Sequence, residues 1–183
     1  MKLSILIPTL PNRIIMFANM FANISKQGEQ FPGEVEILSD DRGIEITTGE
    51  KRNALLERAQ GEYTVFVDDD DEVPPYYVEE IMKGIETNPD CIGITGMMTT
   101  NGAYHMIFKH YLGADYVLRD GYYHRFNNHI NPIKAIYSKQ IKFDHITVGE
   151  DYKWGCKLRD SGLLKKEYTI DKIMYYYKFI PNK

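Results

Sequence analysis

The chain has 183 residues, a formal net charge of −4 and an apolar content of 43%. This length and composition are typical of one globular domain with a core of useful size, so we treat residues 1–183 as a single domain. The basic residues are scattered along the chain. General nucleic-acid binding is therefore not expected, because it needs a basic face that neutralises phosphates.

The N-terminal segment and the cysteines bear on location. MKLSILIPTLPNR is not a signal peptide, because its apolar stretch is short, Pro8 interrupts it and no small-residue cleavage site follows. No stretch is long enough to span a bilayer. Cys91 and Cys156 match no metal or redox spacing and are typical of free thiols in a reducing compartment. We therefore expect a cytoplasmic protein.

The first half of the chain alternates between strands and helices. The apolar runs KLSILIP, EVEILSDD and EYTVFV are typical of buried strands. Helical patterns follow Pro11 and recur in TTGEKRNALLERAQG and PPYYVEEIMKGIETNP. Thr47 and Glu50 have the spacing of a capping box, and Gly61 is expected to end that helix. This alternation predicts a parallel sheet with helices on both faces.

The pattern changes in the second half. YHMIFKHYLGADYVLRDGYYHRF contains strand-like runs and a turn at Asp120-Gly121, which predicts hairpins. GEDYKWGCKLRDSG predicts a short helix from near Glu150 to Gly162, and KKEYTIDKIMYYYKF predicts one or two further strands. The fold class is therefore α/β, with a mixed, mostly parallel sheet flanked by helices and an antiparallel C-terminal part.

Polar or acidic residues follow each of the first three predicted strands: Pro8-Thr9, Asp40-Asp41 and Asp68 to Asp71. Ligands of open parallel sheets bind beyond the carboxyl ends of the strands, so these residues are expected to converge. Alternate residues of an extended segment share a face about 6.5 Å apart. Asp68 and Asp70 can therefore approach one Mg²⁺ or Mn²⁺ ion beside a diphosphate. A solvated acidic loop is the alternative, whereas the spacing lacks the glycine and distal glutamate of a calcium loop.

Four segments, in chain order, resemble motifs of the nucleotide-sugar glycosyltransferases of family 2, which have the GT-A fold. SILIPTLPNR resembles IIIPTYNR, and ILSDDRG resembles VVDDGS, with Arg42-Gly43 replacing Gly-Ser. GEKRNALLERAQGEYTVFVDDDD resembles a stretch that ends in Asp-x-Asp-Asp, and GEDYKWGCKLRDSG resembles a Glu-Asp motif that opens a helix. The resemblance implies a GT-A-like, Rossmann-like fold with a nucleotide-sugar-binding half (1–100) and an acceptor-binding half (101–183).

The resemblance also implies roles for single residues. Asp151 would be the catalytic base, with Glu150 beside it positioning the acceptor or the base. Asp70 would be the direct ligand of Mn²⁺ or Mg²⁺, with Asp68 as the second acid of the metal motif. The residues expected on the donor side are Pro8, Thr9, Arg13, Asp40, Asp41, Arg52, Asp68 and Asp69. Weaker candidates on the acceptor side are Trp154, His129 and Lys134.

Most of these assignments have a plain structural alternative. Arg52 could be a solvated helix residue, and Thr9 and Asp41 could serve only as caps or turn residues. Glu150 and Asp151 could offset the helix macrodipole. The aromatic run MYYYKF either stacks on a sugar or packs in the core, and Trp154 either lines a pocket or is buried.

The function implied is a metal-dependent, inverting transfer of a sugar from a nucleoside-diphosphate sugar, with UDP favoured, to a hydroxyl of a glycan or glycoconjugate. A sugar nucleotidyltransferase is one alternative, but it expects a glycine-rich loop after the first strand, and PTLPNR has none. A non-catalytic nucleotide- or carbohydrate-binding module on the same fold is the other, although it has no need of Asp151. No nucleic-acid partner is expected, and a homo-oligomer is left open.

Overall fold

The computed structural model describes residues 1–180. Within these residues, nine strands form one sheet. The strands are β1 (Leu3–Pro8), β2 (Val35–Asp40), β3 (Tyr63–Phe66), β4 (Cys91–Thr100), β5 (Ala103–His110), β6 (Val117–Arg119), β7 (Tyr122–Arg125), β8 (Ile133–Lys134) and β9 (Glu167–Phe179). The helices are α1 (Ile14–Gly28), α2 (Thr48–Arg58), α3 (Tyr77–Glu86), α4 (Ala135–Ser138) and α5 (Glu150–Ser161), and a 3-10 turn (Pro11–Arg13) precedes α1.

The sheet has the strand order β2-β1-β3-β8-β4-β5-β7-β6, and β9 pairs with β4. Strand β1 is parallel to both β2 and β3, which confirms the predicted parallel first half. The second half is mixed rather than wholly antiparallel. β5 and β8 are antiparallel to β4, but β9 runs parallel to it. A connection that includes a helix, here α5, lets the chain return in the same direction, whereas a tight hairpin cannot.

Helices cover both faces of the sheet, as the alternation of elements predicts. All six residues of β1 are buried, and successive side chains point to opposite faces. Leu3, Ile5 and Ile7 pack in the core that includes α1 and α3. Leu6 packs in the core that includes α2 and α5. The carboxyl ends of β1 and β3 therefore open between two packed helical layers.

Helix α2 begins as predicted but ends differently. The side chain of Thr47 accepts from the Glu50 N–H at 3.3 Å, and Glu50 Oε2 accepts from the Thr47 N–H at 3.0 Å, which forms the capping box. The prediction that Gly61 ends the helix is wrong, because the helix ends at Arg58. Gly61 instead donates its N–H to Ser4 Oγ, and a Cβ there would lie 2.5 Å from the Ser4 nitrogen. The glycine serves a close approach to β1.

The turn and helix signals of the second half are confirmed. Asp120 and Gly121 both have positive φ, 52° and 78°, as a tight turn between β6 and β7 requires. Helix α5 starts at Glu150 and is followed by Gly162 with φ 62°. No helix within residues 1–180 is both long and apolar enough to cross a membrane.

Candidate functional site

The carboxyl ends of β1 and β3 meet through a threonine, an arginine and two aspartates. Thr9 Oγ1 donates to Asp69 Oδ2 at 2.6 Å, and Arg13 Nη1 donates to Asp69 Oδ1 at 2.8 Å. The same nitrogen lies 3.3 Å from Asp70 Oδ2. Thr9 therefore does more than cap a helix, because it fixes an aspartate that is 60 residues away in the chain. The predicted convergence of these two strand ends is present.

Arg52 is buried at the centre of the site and is not a solvated helix residue. Its Nη2 donates to Asp68 Oδ1 at 2.8 Å, and its Nε donates to Glu150 Oε1 at 3.2 Å. The guanidinium carbon lies 5.0 Å from the centre of the Phe66 ring. Burial alone would lower the pKa of Arg52, but the charges of Asp68 and Glu150 raise it above its ordinary value. Arg52 therefore keeps its positive charge and links α2, β3 and α5.

Asp68 is engaged on both oxygens. Arg52 occupies Oδ1, and His129 Nε2 lies 3.2 Å from Oδ2. Burial would raise the pKa of this carboxyl, but Arg52 and His129 together hold it well below its usual range. The other ring nitrogen of His129 lies 3.8 Å from Asp151 Oδ2. His129, predicted only as a weak candidate, thus lies between the two acids.

Two cavities open on either side of Asp68. Cavity A has a volume of about 370 Å³ and is lined by Pro8, Thr9, Arg13, Lys51, Arg52, Asp68, Asp69, Asp70 and Glu150, among others. Cavity B has a volume of about 540 Å³ and is lined by Asp68, Arg125, His129, Asp151 and aromatic side chains. Glu150 and Asp151, the first two residues of α5, therefore line different cavities.

Lys51 is a residue of cavity A that the sequence analysis did not single out. It is buried, and its Nζ donates to the Thr9 carbonyl oxygen at 2.8 Å. Burial lowers the pKa of Lys51, with a partly opposing effect from Asp40. The available signal was its position next to Arg52 in the first turns of α2. Cavity A therefore has three cationic side chains among its acids, from Arg13, Lys51 and Arg52.

The acids at the end of β2, Asp40 and Asp41, are not among the residues that line cavity A. Asp40 is buried, and Arg42 Nη2 donates to its Oδ2 at 2.6 Å. Burial would raise the pKa of Asp40, but its hydrogen bonds with Arg42 lower it. Its carbonyl oxygen accepts from the Thr9 N–H, whereas Asp41 is exposed to solvent. Of this pair, only Asp40 is tied to the site.

Two acceptor-side candidates are not brought to the site. Trp154 is 1% exposed, stacks on Phe143 with ring centres 4.8 Å apart, and donates its Nε1 to the Ile141 carbonyl. Lys134 lies opposite Tyr63, at the amino end of β3, whereas the site lies beyond the carboxyl end. Trp154 therefore packs in the core, and Lys134 lies at the end of β3 opposite the site.

The aromatic run of β9 has two roles. Its side chains alternate between faces, and Tyr175, Tyr177 and Phe179 all line cavity B. Tyr175 is also fully buried, and its hydroxyl accepts from the Asp68 N–H at 3.0 Å. The strand therefore both packs in the core and lines cavity B, and Tyr175 does both.

The acids of cavity A suit a metal that arrives with a substrate. Within the described part of the chain, no group of three or more His, Cys, Asp or Glu side chains is arranged to hold an ion by itself. Mg²⁺ is usually held by only one or two carboxylates together with substrate phosphates. Asp68 and Asp70 both line cavity A, but Arg52 and His129 already bind the two oxygens of Asp68, so a metal there would share that carboxylate with both side chains.

Comparisons with known proteins agree with the fold. The family model described as Glycosyl transferase family 2 matches residues 33–147, more than half of the chain. No curated protein matches the chain in a sequence search.

Three similar solved structures are of S. aureus TarS. One of TarS has a TM-score of 0.70 at 18% identity, over 98% of this chain and 37% of that one. TarS 1-349 in complex with UDP has a TM-score of 0.72 at 20% identity, over 99% and 61%. TarS 1-349 in complex with UDP-GlcNAc has a TM-score of 0.67 at 16% identity, over 100% and 60%. The chain thus spans about 37% to 61% of the length of these TarS chains.

Proposed function

Since the chain belongs to glycosyl transferase family 2, we propose that it transfers a sugar from a nucleoside-diphosphate sugar to an acceptor hydroxyl of a glycan or glycoconjugate. The nucleotide sugar binds in cavity A, and the acceptor binds in cavity B. The donor is a UDP-sugar. This choice is supported by the shared fold of TarS, which has been crystallised with UDP and with UDP-GlcNAc.

One observation carries the proposal. Glu150 lines cavity A and its neighbour Asp151 lines cavity B, while Asp68 lines both. A group transfer needs two substrates that meet at one point, with a base on the acceptor side and charge stabilisation on the leaving-group side. Two cavities that share an acidic wall have this layout. A module that only binds a nucleotide needs no second cavity with a carboxylate of its own.

The reaction is a single displacement. The acceptor oxygen attacks the anomeric carbon of the sugar, the bond from that carbon to the diphosphate oxygen breaks, and Asp151 takes the acceptor proton. Inversion at the anomeric carbon follows from this one-step path. The side chain of Asp151 is 37% exposed, so it is open to an incoming hydroxyl.

The cations of cavity A receive the diphosphate. Arg13 and Lys51 lie beyond the carboxyl end of β1, and Asp68 and Glu150 form ion pairs with Arg52. Such fixed charges stabilise a leaving group without reorganising during the reaction. Glu150 therefore has a positioning role, because it orients Arg52 rather than contacting the substrate.

Asp68 and Asp70 would hold a divalent metal together with the diphosphate. When bound, the metal would neutralise charge that develops on the departing nucleoside diphosphate. Asp70 lines cavity A, and one of its oxygens lies 3.3 Å from Arg13, so a metal would share this carboxylate with a cationic neighbour.

The test is release of UDP, GDP or dTDP from their sugars, with Mn²⁺ and with EDTA. We expect slow hydrolysis of a UDP-sugar without an acceptor, and its loss with EDTA and with Asp70→Asn. Asp151→Asn should lower transfer to an acceptor by roughly 10²- to 10⁴-fold, the usual contribution of a general base. The matched controls are Glu72→Gln in the acidic run and Asp160→Asn on α5, both exposed.

Each outcome separates one part of the proposal. Loss of turnover in Asp70→Asn with full activity in Asp151→Asn would remove the assignment of the base. Equal activity with Mn²⁺ and with EDTA would refute the proposed requirement for a metal. Failure of the wild-type protein to turn over or bind any nucleotide sugar would refute the transferase.

A further inference from the structure

Arg125 is an unusual cation in the wall of cavity B. It lies at the end of β7, and its guanidinium carbon is 4.9 Å from the Tyr116 ring centre, 5.5 Å from Tyr123 and 5.6 Å from Phe108. The guanidinium carbon therefore lies over three rings. Contacts with ring faces hold the group in place but supply no hydrogen-bond acceptor to the N–H groups along its edge.

No partner within residues 1–180 meets that edge. Nε is buried without a hydrogen-bond acceptor, and no described carboxylate lies within 4.0 Å of the group. The other arginines of the described chain all have a carboxylate or carbonyl partner: Arg13, Arg42, Arg52, Arg58, Arg119 and Arg159. An arginine without one is costly when partly buried, unless a ligand completes it.

The carboxylates of the same cavity do not complete it. Asp68 is bound by Arg52 and His129, and Asp71 accepts from the Lys178 N–H at 2.9 Å. Asp151 lines the cavity but makes no ion pair with Arg125. Arg125 and Asp151, the proposed base, are therefore two separate charged groups in the wall of cavity B.

The two groups are joined by packed rings. Tyr116, which stacks on Arg125, lies 5.4 Å from the ring of Tyr152, the residue after Asp151 on α5. Tyr177 lines the same cavity, and burial raises its pKa to about 12, with Asp151 raising it and Arg125 lowering it. Both charged groups thus act on one stretch of aromatic wall.

We propose that the acceptor bound in cavity B carries an oxyanion, a carboxylate or a phosphate, which the N–H edge of Arg125 binds while the reacting hydroxyl reaches Asp151. The planar fork of arginine matches both anions through paired hydrogen bonds. The aromatic wall between the two groups would cover the apolar face of a sugar ring. This inference rests on the proposed function, because it defines the acceptor of that reaction.

The first measurement is direct binding, which needs no turnover. Methyl glucoside, methyl glucuronide and glucose 6-phosphate supply a neutral, a carboxylate and a phosphate version of one sugar, and inorganic phosphate supplies the anion alone. We expect the wild-type protein to bind one of the anionic sugars at least about tenfold more tightly than the neutral sugar, and Arg125→Gln to lose that preference. Charge-assisted hydrogen bonds correspond to roughly 10- to 100-fold in affinity.

Two further variants make the result specific. Lys109→Gln removes a cation that also lies over a ring, 4.8 Å from the centre of Tyr122, on the neighbouring strand but outside the lining of cavity B. It should keep the preference for the anionic sugar. Arg125→Lys keeps the charge without the fork, so it should keep part of the preference, and thermal unfolding shows whether both Arg125 variants are folded.

The second measurement is transfer from a UDP-sugar to the same acceptors. Arg125→Gln should raise KM for the anionic acceptor by about 10-fold or more, with a much smaller change for the neutral one. Equal wild-type affinity for neutral and anionic sugars, or an anion preference that survives in a folded Arg125→Gln, would overturn the inference. Failure to bind UDP would count against the proposed function instead, and the anion titration would still decide the role of Arg125.

Discussion

Replacing Arg52 with methionine tests whether this buried cation stabilises the two carboxylates at the centre of the site, Asp68 and Glu150. The substitution keeps a long apolar side chain against Phe66 but removes the charge that Asp68 and Glu150 share. The Glu150 side chain is 6% exposed and has no other cation within ion-pair distance among the described residues, whereas Asp68 is 27% exposed and keeps His129.

The expected loss of stability follows from that difference. Removing one partner of a buried pair typically costs about 3–5 kcal/mol, because the other charge is left uncompensated. We expect the lower end, about 3 kcal/mol, since Asp68 is partly hydrated and still paired. The total free energy of unfolding of a domain of this kind is roughly 5–15 kcal/mol. The change should therefore remove a large share of the free energy of unfolding.

Urea unfolding at pH 7, followed by circular dichroism, measures the effect. The matched control is Arg58→Met on the same helix, since Arg58 is exposed and donates only to the Ser39 carbonyl. Its cost should stay within about 0.5 kcal/mol. Adding Glu150→Gln to Arg52→Met should recover part of the loss, because it neutralises the stranded carboxylate. Equal stabilities of Arg52→Met and Arg58→Met would refute the reasoning.

Three further predictions concern pH, packing and capping. Burial lowers the pKa of His110 to about 3, so the unfolded chain alone takes up its proton below about pH 6.5. Between pH 7.5 and 5 the wild-type protein should lose about 2 kcal/mol more stability than His110→Gln in urea titrations, and parallel profiles would contradict this. Gly49→Ala should cost roughly 1–3 kcal/mol and slow sugar transfer, because the added Cβ would overlap the Asp144 carbonyl oxygen. Gly28→Ala, whose Cβ would meet only Val35 at 3.8 Å, is its control in thermal unfolding and transfer assays. Thr47→Ala should cost about 1 kcal/mol in thermal unfolding, whereas Thr47→Ser should cost much less, because serine keeps the capping oxygen.

The first half of the fold was predictable because its signals are local. The buried runs of β1 and β3 and the capping box of α2 each depend on residues close together in sequence. The misassigned Gly61 shows the limit of local signals. A glycine after a helix is also what a close approach to Ser4 requires, and only the tertiary structure distinguishes the two.

The site divides in the same way. Asp68, Asp70 and Glu150 stand at strand and helix ends, where position in the element predicts position in the site. Arg125 and the role of Tyr116 were not predicted, since they depend on the parallel pairing of β7 with β5, which no short-range pattern specifies. The burial of Trp154 likewise depends on Phe143, which comes from a different segment of the chain.

Strand β8 has a further consequence. Its two residues join β3 to β4, and the chain just before them holds His129, whose carbonyl oxygen accepts from the Phe66 N–H at 3.0 Å. The two-residue strand that connects β3 to β4 and the histidine in the wall of the site thus belong to one short segment. A substitution at Ile133 that weakens the pairing of β8 would also shift the His129 imidazole between Asp68 and Asp151. Sheet stability and site geometry are therefore coupled at this point of the chain.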